Sequence, residues 1–360
     1  MDLHVITNFS EPNGAEKMLA RLLNHASTGD ALVVPLMGVS ERTQKLIESN
    51  STRFQPLGAH SAASLAGATL KLRKIIKSEQ PATIVCWMYH AMAAGSIAAR
   101  LSGIKVPVYW NVRQSLDDWG SMSLSTRMSV RLCKVLSGMP SGTIYNSRRA
   151  LELHGEKGFH NHNATVIPNG LSIPQKPNEP PRKARVFGVA GRFHPQKGHD
   201  TFFAAAGKVL KSSPDCRFIL VGSGLTSEND KVTQLLHDNN IPADRIELRG
   251  PIDDMESFYR SIDVLVLSSR TEGFPNVVVE SMSFGRPAVT TDVGDAAAIV
   301  AHTGFIATPG EPEELASGMM KFLQMSPEEY KALSDKAYDR VSENYSIDAI
   351  SKIYRKFFDQ

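Results

Sequence analysis

Short β-rich apolar runs recur along the chain, and most are apolar throughout rather than alternating with polar residues. A strand reads that way when both its faces are covered, as in a parallel sheet clad by helices. In the first half the runs fall at 3–7, 31–36, 83–87, 106–110, 142–145 and 165–167. In the second they fall at 185–190, 218–221, 246–248, 264–267 and 288–290. Amphipathic stretches such as 15–24 and 64–78 lie between them. Strands alternating with helices imply βαβ units, and two such series imply two doubly wound α/β domains.

The two series meet at Pro174-Gln-Lys-Pro-Asn-Glu-Pro-Pro181. Four prolines in eight residues cannot continue a helix or a central strand, so this segment reads as an extended linker. The expected domains are 1–173 and 182–344, joined through 174–181. Doubly wound domains bind ligands beyond the carboxyl ends of their strands, so a cleft between two facing domains is the expected place for a site. A length of 360 residues suits two domains, and 42% hydrophobic with 21% charged residues suits an ordinary globular protein.

Cys86, Cys133 and Cys216 are odd in number and share no disulfide-framework or metal-ligand spacing, which points to a reducing compartment. The N-terminus shows no basic region followed by a long apolar stretch, and no run of about 18 apolar residues occurs. A cytoplasmic protein without a leader or a membrane span is expected. Residues 1–180 carry 19 Lys/Arg against 12 Asp/Glu, and residues 181–360 carry 21 against 25, so the halves stand at +7 and −4. Either surface scatter or an anionic partner, such as a phosphorylated lipid or a membrane surface, accounts for that split. No nucleic-acid partner is expected.

Three segments carry chemistry. Glu272-Gly-Phe-Pro-Asn-Val-Val-Val-Glu280 follows the run at 264–267. A helix is predicted to begin near Pro275 or Asn276 and to stop before Gly285 and Pro287. Gly273 lets backbone approach a ligand closely. The amides of Phe274, Asn276 and Val277 sit at that helix start and attract phosphate, whereas Pro275 has no N–H to give. Glu272 before the helix and Glu280 a turn inside it can flank one ligand, and a carboxylate accepts paired hydrogen bonds from sugar hydroxyls. The plain alternative is a helix-dipole Glu and a surface Glu.

The second segment, Gly191-Arg-Phe-His-Pro-Gln-Lys-Gly198, follows the run at 185–190. Its cations Arg192 and Lys197 suit a diphosphate leaving group, against the alternative of a solvated basic loop. The third, Asn13-Gly-Ala-Glu-Lys17, places Gly14 at a strand-to-helix turn where a diphosphate or sugar can meet the backbone. It lacks the full G-x-G-x-x-G of a dinucleotide site, and a plain helix start explains it equally well.

Together these segments resemble the glycosyltransferase family 4 group of retaining GT-B enzymes. Supporting matches are Val166-Ile-Pro-Asn-Gly170, Leu220-Val-Gly-Ser-Gly224, Leu248-Arg-Gly250, Ser261-Ile-Asp-Val-Leu265 and Thr291-Asp-Val-Gly294. The likeness covers most of residues 165–305 and is looser before residue 140. It implies a GT-B fold, two Rossmann-like domains facing across a cleft, with the last helix (345–360) returning to the N-terminal domain. It implies that Arg192 and Lys197 hold the diphosphate of a nucleotide-sugar, Glu280 the ribose, and Glu272 the moving sugar. Gly273 and the amides of Phe274, Asn276 and Val277 would serve phosphate and sugar. Gly14 would abut the diphosphate, and backbone near Arg249 would receive the base, with uridine diphosphate the favoured nucleotide. The nucleotide-sugar is a co-substrate, so no cofactor is expected. No Asp-x-Asp motif occurs, so no metal is expected either.

One departure concerns the N-terminal half. Many members of the group carry a His after a strand there, close to the transferred sugar. Here the run at 106–110 leads into Asn111-Val-Arg-Gln-Ser115, which resembles the Trp-Asn-x-Arg variant of some bacterial polysaccharide enzymes. Arg113 stands near the place of the His. It cannot act as a base at neutral pH, but it can stabilise phosphate charge or bind an anionic acceptor. His90, after the preceding strand, is a second candidate, with a structural His as its alternative. Asp117 and Asp118 read as loop charges or acceptor contacts. Trp87, Trp110 and Trp119 read as core aromatics or sugar-stacking faces.

The expected activity is metal-independent, retaining transfer of a hexose or N-acetylhexosamine from a nucleotide-sugar. The acceptor would be a saccharide or a polyprenyl-diphosphate-linked saccharide, in cell-surface polysaccharide synthesis. The resemblance favours same-face attack, with the leaving phosphate taking the acceptor proton. Arg192, Lys197, Glu272, Arg113 and His90 are the candidate catalytic residues. A GT-B nucleotide-sugar epimerase or hydrolase, or a non-catalytic sugar-nucleotide binding module, are the competing readings. The stretch 126–136 sets Met, Val and Leu among Arg and Lys at helical spacings. Such a face lies either on its own sheet or on anionic lipid, which would make the protein peripheral on the inner face of the cell membrane.

Overall fold

The structure is a computed structural model that describes every residue other than Pro12, residues 26–29, Asn50, Asp118 and Gln360. The chain divides into two compact units, Met1–Ser172 with Ile347–Gln360, and Ile173–Ser346.

Unit 1 begins β1 (Asp2–Ile6), α1 (Gly14–His25), β2 (Ala31–Pro35), α2 (Glu41–Gln44), β3 (Thr52–Phe54) and α3 (Ala62–Glu79). It continues β4 (Thr83–Trp87), α4 (Tyr89–Ser102), β5 (Val108–Val112), α5 (Leu124–Leu136), β6 (Gly142–Tyr145), α6 (Arg148–Glu156) and β7 (Ala164–Val166). Unit 2 runs β8 (Val186–Ala190), α7 (His199–Ser212), β9 (Arg217–Val221), α8 (Asp230–Asp238), β10 (Ile246–Gly250), α9 (Met255–Ser261) and β11 (Val264–Leu267). It ends α10 (Asn276–Ser283), β12 (Ala288–Thr291), α11 (Ala296–Val300), β13 (Phe305–Ala307), α12 (Pro312–Gln324) and α13 (Pro327–Tyr345). The last helix, α14 (Ile347–Phe358), belongs to unit 1.

Every paired strand is parallel. The orders are β3-β2-β1-β4-β5-β6-β7 in unit 1 and β10-β9-β8-β11-β12-β13 in unit 2. The chain winds outward from β1 and from β8 in both directions. The strand order in each sheet therefore reverses once, between β1 and β4 and between β8 and β11, the crevice where such sheets take ligands. The sequence runs anticipated every strand except β3 and β13. Both are three residues long, both lie at a sheet edge, and neither is buried along its whole length. β3 (Thr-Arg-Phe) is half-polar, as an edge strand can be, and β13 (Phe-Ile-Ala) is apolar but only three residues long, too short to stand out as a strand.

In unit 1, alternate strand residues feed different layers. Leu3, Val5, Leu32, Val34, Ile84, Cys86 and Trp110 pack with α3, α4 and α5. Ile6, Val33, Val85, Trp87, Tyr109 and Ile144 pack with α1 and α14. This is the period-two alternation of a pleated strand with helices on both sides. Ile350, Tyr354 and Phe357 of α14 are buried in the second layer, and each stabilises it by about 2 kcal/mol on burial alone. The helix can lie that close because residue 170 is glycine: a Cβ there would press against Ile347 and Ile350. The entering chain is fixed by Ile347 N–H donating to Leu171 O at 2.7 Å.

In unit 2, Phe187, Phe202, Phe203 and Phe218 form the centre of one packed layer with Met319 and Phe322 of α12. The proline-rich stretch 174–181 is extended, as its composition requires, but it is fastened to unit 2. Tyr338 Oη donates to Pro174 O at 2.8 Å, Lys176 pairs with Asp339 at 2.6 Å, and Glu179 takes a two-pronged bond from the buried Arg286 at 2.6 and 2.8 Å. Among the described residues, no helix is long and apolar enough to cross a membrane.

Candidate active site

Apart from Arg249 on β10, the residues singled out on unit 2 lie on the loops that follow β8 and β11, the two strands flanking its reversal point, or in the first turns of α10. After β8, the His194 imidazole accepts from Gln196 N–H at 3.3 Å and caps a short turn at Pro195–Lys197. That turn is stitched to the loop after β11. Arg270 N–H donates to Gln196 O at 2.8 Å, the Gln196 amide donates to Thr271 O at 3.0 Å, and Ser268 Oγ donates to Lys197 O at 2.9 Å. The Arg270 guanidinium reaches Pro195 O and Asp200 at 2.9 Å.

This stitching brings two of the expected catalytic side chains together. Lys197 Nζ lies 2.6 Å from Glu272 Oε1, and Ser269 Oγ donates to the same oxygen at 2.7 Å. Their side chains are only 21% and 11% exposed. Deleting one partner of a charge pair this shielded leaves the other uncompensated, at a cost of about 3–5 kcal/mol. Arg192 is exposed on the same loop. Its carbonyl accepts from the buried His199 ring at 3.0 Å, and burial lowers the His199 pKa, which keeps that ring neutral.

A third loop completes the arrangement, and sequence reasoning treated it only as a supporting match. Gly294, after β12, has φ +54°, and a Cβ there would collide with the carbonyls of Glu272 and Gly273. Glycine allows both the left-handed backbone and the close approach. Asp295 N–H then donates to Gly273 O at 3.1 Å, and Thr291 Oγ1 to Ser269 O at 2.6 Å. The Glu272–Gly273 backbone is thus held from two sides. The local signal was the glycine of Thr291-Asp-Val-Gly294, but its partners Gly273 and Glu272 lie 21 and 22 residues away and no local rule names them.

Helix α10 starts at Asn276, with Pro275 before it and no side chain capping its first amides. Val278 N–H bonds back to Pro275 O at 3.0 Å. Phe274 is buried with its ring 5.8 Å from that of Tyr345, which anchors the loop ahead of the helix, and Val277 is half-buried in the first turn. Glu280, one turn in, accepts from Tyr259 Oη at 2.8 Å. At Arg249 the register of β10 against β9 slips by one residue, so Arg249 is a bulge residue on an edge strand. Such a residue sits outside the ladder, which suits backbone recognition of a planar base. Its side chain is turned to Glu247 at 2.8 Å.

Gly14, His90 and Arg113 belong to unit 1. Gly14 is exposed at the start of α1, directly after the β1 loop, and Lys17 N–H bonds to Asn13 O at 3.0 Å. His90 opens α4 after β4, on the other side of the unit 1 reversal point, and burial lowers its pKa, so it is neutral at pH 7. The preceding residue but one, Met88, has φ +68°, a conformation that costs a non-glycine residue about 1–3 kcal/mol and collects at functional sites.

Arg113 is the first residue beyond β5, because the strand runs two residues further than the sequence suggested, to Val112. Its Nη1 donates to Ile167 O at 3.1 Å and Asn169 Oδ1 at 3.0 Å, and its guanidinium lies 5.5 Å from the Trp87 ring centroid and 5.7 Å from that of Tyr354. Nε and Nη2 are buried with no hydrogen-bond partner among the described residues. Burial pushes its pKa down to about 9, which leaves it charged at neutral pH. The first turn of α1 adds Glu16, which is buried, has one carboxylate oxygen unpartnered, and has its pKa raised by that burial.

Of the remaining candidates, Trp87 and Trp110 are fully buried in the core, with their indole N–H groups on His4 and Ser96. They offer no face to a sugar. Trp119 is half-buried under Lys157. Asp117 is paired with Arg149 at 2.8 Å, and Asp118 lies outside the described residues. Among the described residues, no group of three or more His, Cys, Asp or Glu is placed to hold a metal ion.

Residues 184–325, within unit 2, match the family model described as glycosyl transferases group 1. Over its full length the chain superposes on a crystal structure of Anabaena Alr3699/HepE in complex with UDP, with 100% of both chains covered, a TM-score of 0.82 and 21% identity. The fold is GT-B. An uncharacterized glycosyltransferase of Haemophilus influenzae is 27% identical over 286 residues, 78% of this chain and 77% of that one. An Escherichia coli protein named UDP-Gal:alpha-D-GlcNAc-diphosphoundecaprenol alpha-1,3-galactosyltransferase is 26% identical over 62% of this chain and 61% of its own length. Two further relatives are matched over only 54% and 51% of their length. These likenesses support a glycosyltransferase of the GT-B type.

Proposed function

We propose that the chain is a retaining glycosyltransferase that moves a hexose or N-acetylhexosamine from a UDP-sugar to a saccharide or lipid-linked saccharide during cell-surface polysaccharide synthesis. The observation that carries this reading is the Lys197–Glu272 pair, locked between the loops of β8 and β11. A shielded cation and carboxylate side by side offer a donor the two things it needs. Lys197, with Arg192 on the same loop, takes the diphosphate; Glu272, released from Lys197, accepts from the sugar hydroxyls. The first amides of α10, including those of Asn276 and Val277, serve phosphate and sugar. Glu280, held by Tyr259, accepts from the ribose, and the bulge at Arg249 receives the uracil.

In the reaction, the bond from the sugar C1 to the diphosphate oxygen breaks and a bond from C1 to the acceptor oxygen forms on the same face. The acceptor proton passes to the departing phosphate oxygen. Catalysis is then mostly positioning and stabilisation of the leaving diphosphate. The lipid-linked acceptor is favoured by the activity for which the Escherichia coli relative is named. Arg113 suits an anionic acceptor, because its two unpartnered N–H-bearing nitrogens still want acceptors.

A panel of UDP-sugars, assayed for UDP release with and without a polyprenyl-diphosphate saccharide, tests the reading. Release that depends on the acceptor, with the anomeric configuration kept in the product, is expected. Release or epimerisation without any acceptor would replace the transferase with a hydrolase or epimerase. Tight UDP-sugar binding with no turnover toward any acceptor would leave a binding module.

A further inference from the structure

The positive charge of the first half is concentrated in one stretch of unit 1, most of it in a single helical layer; Arg113, just beyond β5, stands apart from that layer against Trp87 and Tyr354. Residues 62–136 hold ten Lys/Arg and three Asp/Glu, whereas the rest of residues 1–180 holds nine of each. That stretch is α3, α4 and α5 with the strands between them, and the three helices pack side by side over one face of the sheet.

The outer surface of this layer carries large apolar side chains with nothing over them. Leu124, Met128, Leu132 and Val135 of α5 and Met139 just beyond it are spaced four, four, three and four residues apart, which makes one stripe. Val135 is 79% exposed and Leu124 72%. The inner side of α5 is Val130 and Cys133, which are buried in the core. Leu70 on α3 and Leu101 on α4 extend the apolar surface. Exposed Arg131 and Lys134 border the stripe, Lys71, Lys74 and Lys77 continue the charge along α3, and no Asp or Glu occurs between Asp118 and Glu152.

Beside the end of α5, Met139 also lines a cavity of about 530 Å³ with Ile104, Val106 and the cations Arg100 and Lys105. This cavity lies where β5 and β6 begin, at the opposite edge of the sheet from His90 and Arg113.

We propose that the α3–α5 layer is a docking face for an anionic phospholipid bilayer, with α5 lying in the headgroup region and Arg100 and Lys105 taking a lipid phosphate. An apolar stripe bordered by cations alone matches the acyl boundary and the charge of such a surface together. A second copy of the chain would set this positive layer against itself, and like charges oppose that contact. The inference stands on surface chemistry and does not rest on the proposed reaction.

Co-sedimentation of the full chain with phosphatidylglycerol–phosphatidylcholine vesicles tests it. Binding is expected to phosphatidylglycerol-containing vesicles at low salt, to weaken in high salt, and to be absent with pure phosphatidylcholine. Arg131→Ser with Lys134→Ser should weaken it by about fivefold per cation removed, and Arg100→Ser with Lys105→Ser should do the same. Met128→Ser with Val135→Ser should weaken it without changing the salt dependence. Ile353→Ser, an exposed apolar change on α14 across the sheet, should have no effect. All these positions are exposed, and an unchanged thermal melt verifies the fold. Equal binding to both vesicle types, or variants that bind like the parent, would overturn the proposal. So would a stripe variant that dissociates a dimer while vesicle binding persists, since the face would then be a self-contact.

Discussion

The strand ends of the two units answer the same question differently. In unit 2 the carboxylates and the lysine singled out as candidates satisfy one another before any ligand arrives: Lys197 has Glu272, Glu272 has Ser269, and Glu280 has Tyr259, while His199 Nδ1 and Thr290 Oγ1 are the buried side-chain atoms without a partner among the described residues of that unit. In unit 1 the strand ends hold buried atoms that find no partner among the described residues, on Thr7, Glu16, Asn111, Arg113 and Asn146. Buried polar atoms left that way are costly and call for an explanation. A closed network suits a donor that is the same in every turnover, because its contacts are set in advance. Unpartnered groups suit an acceptor that supplies the missing partners itself.

The largest expected effect tests the closed network. Lys197→Met and Glu272→Ala should each lower UDP-sugar turnover by about 10²–10³-fold. The double change Lys197→Met with Glu272→Gln removes both charges, so it should recover stability without recovering turnover. A double variant that regains activity would reduce the pair to a structural feature. Next is acid stability. Burial holds the unit 1 residues His4 and His154 at about 4, while the unfolded chain takes up the same protons near 6.5. Stability is therefore full above about pH 6.5 and falls as pH drops toward 4, by about 3 kcal/mol per histidine. Urea melts at pH 7 and pH 5 should show this loss, and His154→Gln should flatten it; a parent protein equally stable at both pH values would refute the buried-neutral assignment.

Gly294→Ala should cost about 2–4 kcal/mol from the positive φ and the clash with the Glu272–Gly273 carbonyls, with donor KM rising as the loop shifts. A variant with unchanged melting and kinetics would mean that the three loops are not coupled. Arg113→Met should raise acceptor KM by about tenfold and leave donor KM alone. If melting falls while neither KM moves, Arg113 is only a prop for Trp87 and Tyr354. Arg249→Ala is the smallest, within about twofold on donor KM, because backbone rather than side chain is assigned to the base and its exposed pair with Glu247 is worth under about 1 kcal/mol.

What was legible in the sequence was whatever is written locally. Central strands announce themselves because both faces are buried, and α10 was bracketed by Pro275 at one end and Gly285 with Pro287 at the other. β3 and β13 were not: β3 is half-polar, as an edge strand can be, and β13 is an apolar run of only three residues. The two unit 2 segments could be named, but not the contact between them: Lys197 and Glu272 are 75 residues apart, and only the parallel neighbours β8 and β11 bring them together. Gly294 is the same case, a recognisable glycine whose partner only the fold reveals. For Arg113, charge and place were readable, but its neighbour Tyr354 comes from the far end of the chain.

The return of α14 also bears on the order of events during synthesis. Ile350, Tyr354 and Phe357 complete one side of the unit 1 sheet, yet they are translated after all of unit 2. While the ribosome is still making unit 2, the nascent first unit exposes the apolar groove that those residues will fill, and it is then most open to chaperones and to aggregation. Unit 2 has no such debt to later residues. The part of the protein that is made first is the part that closes last.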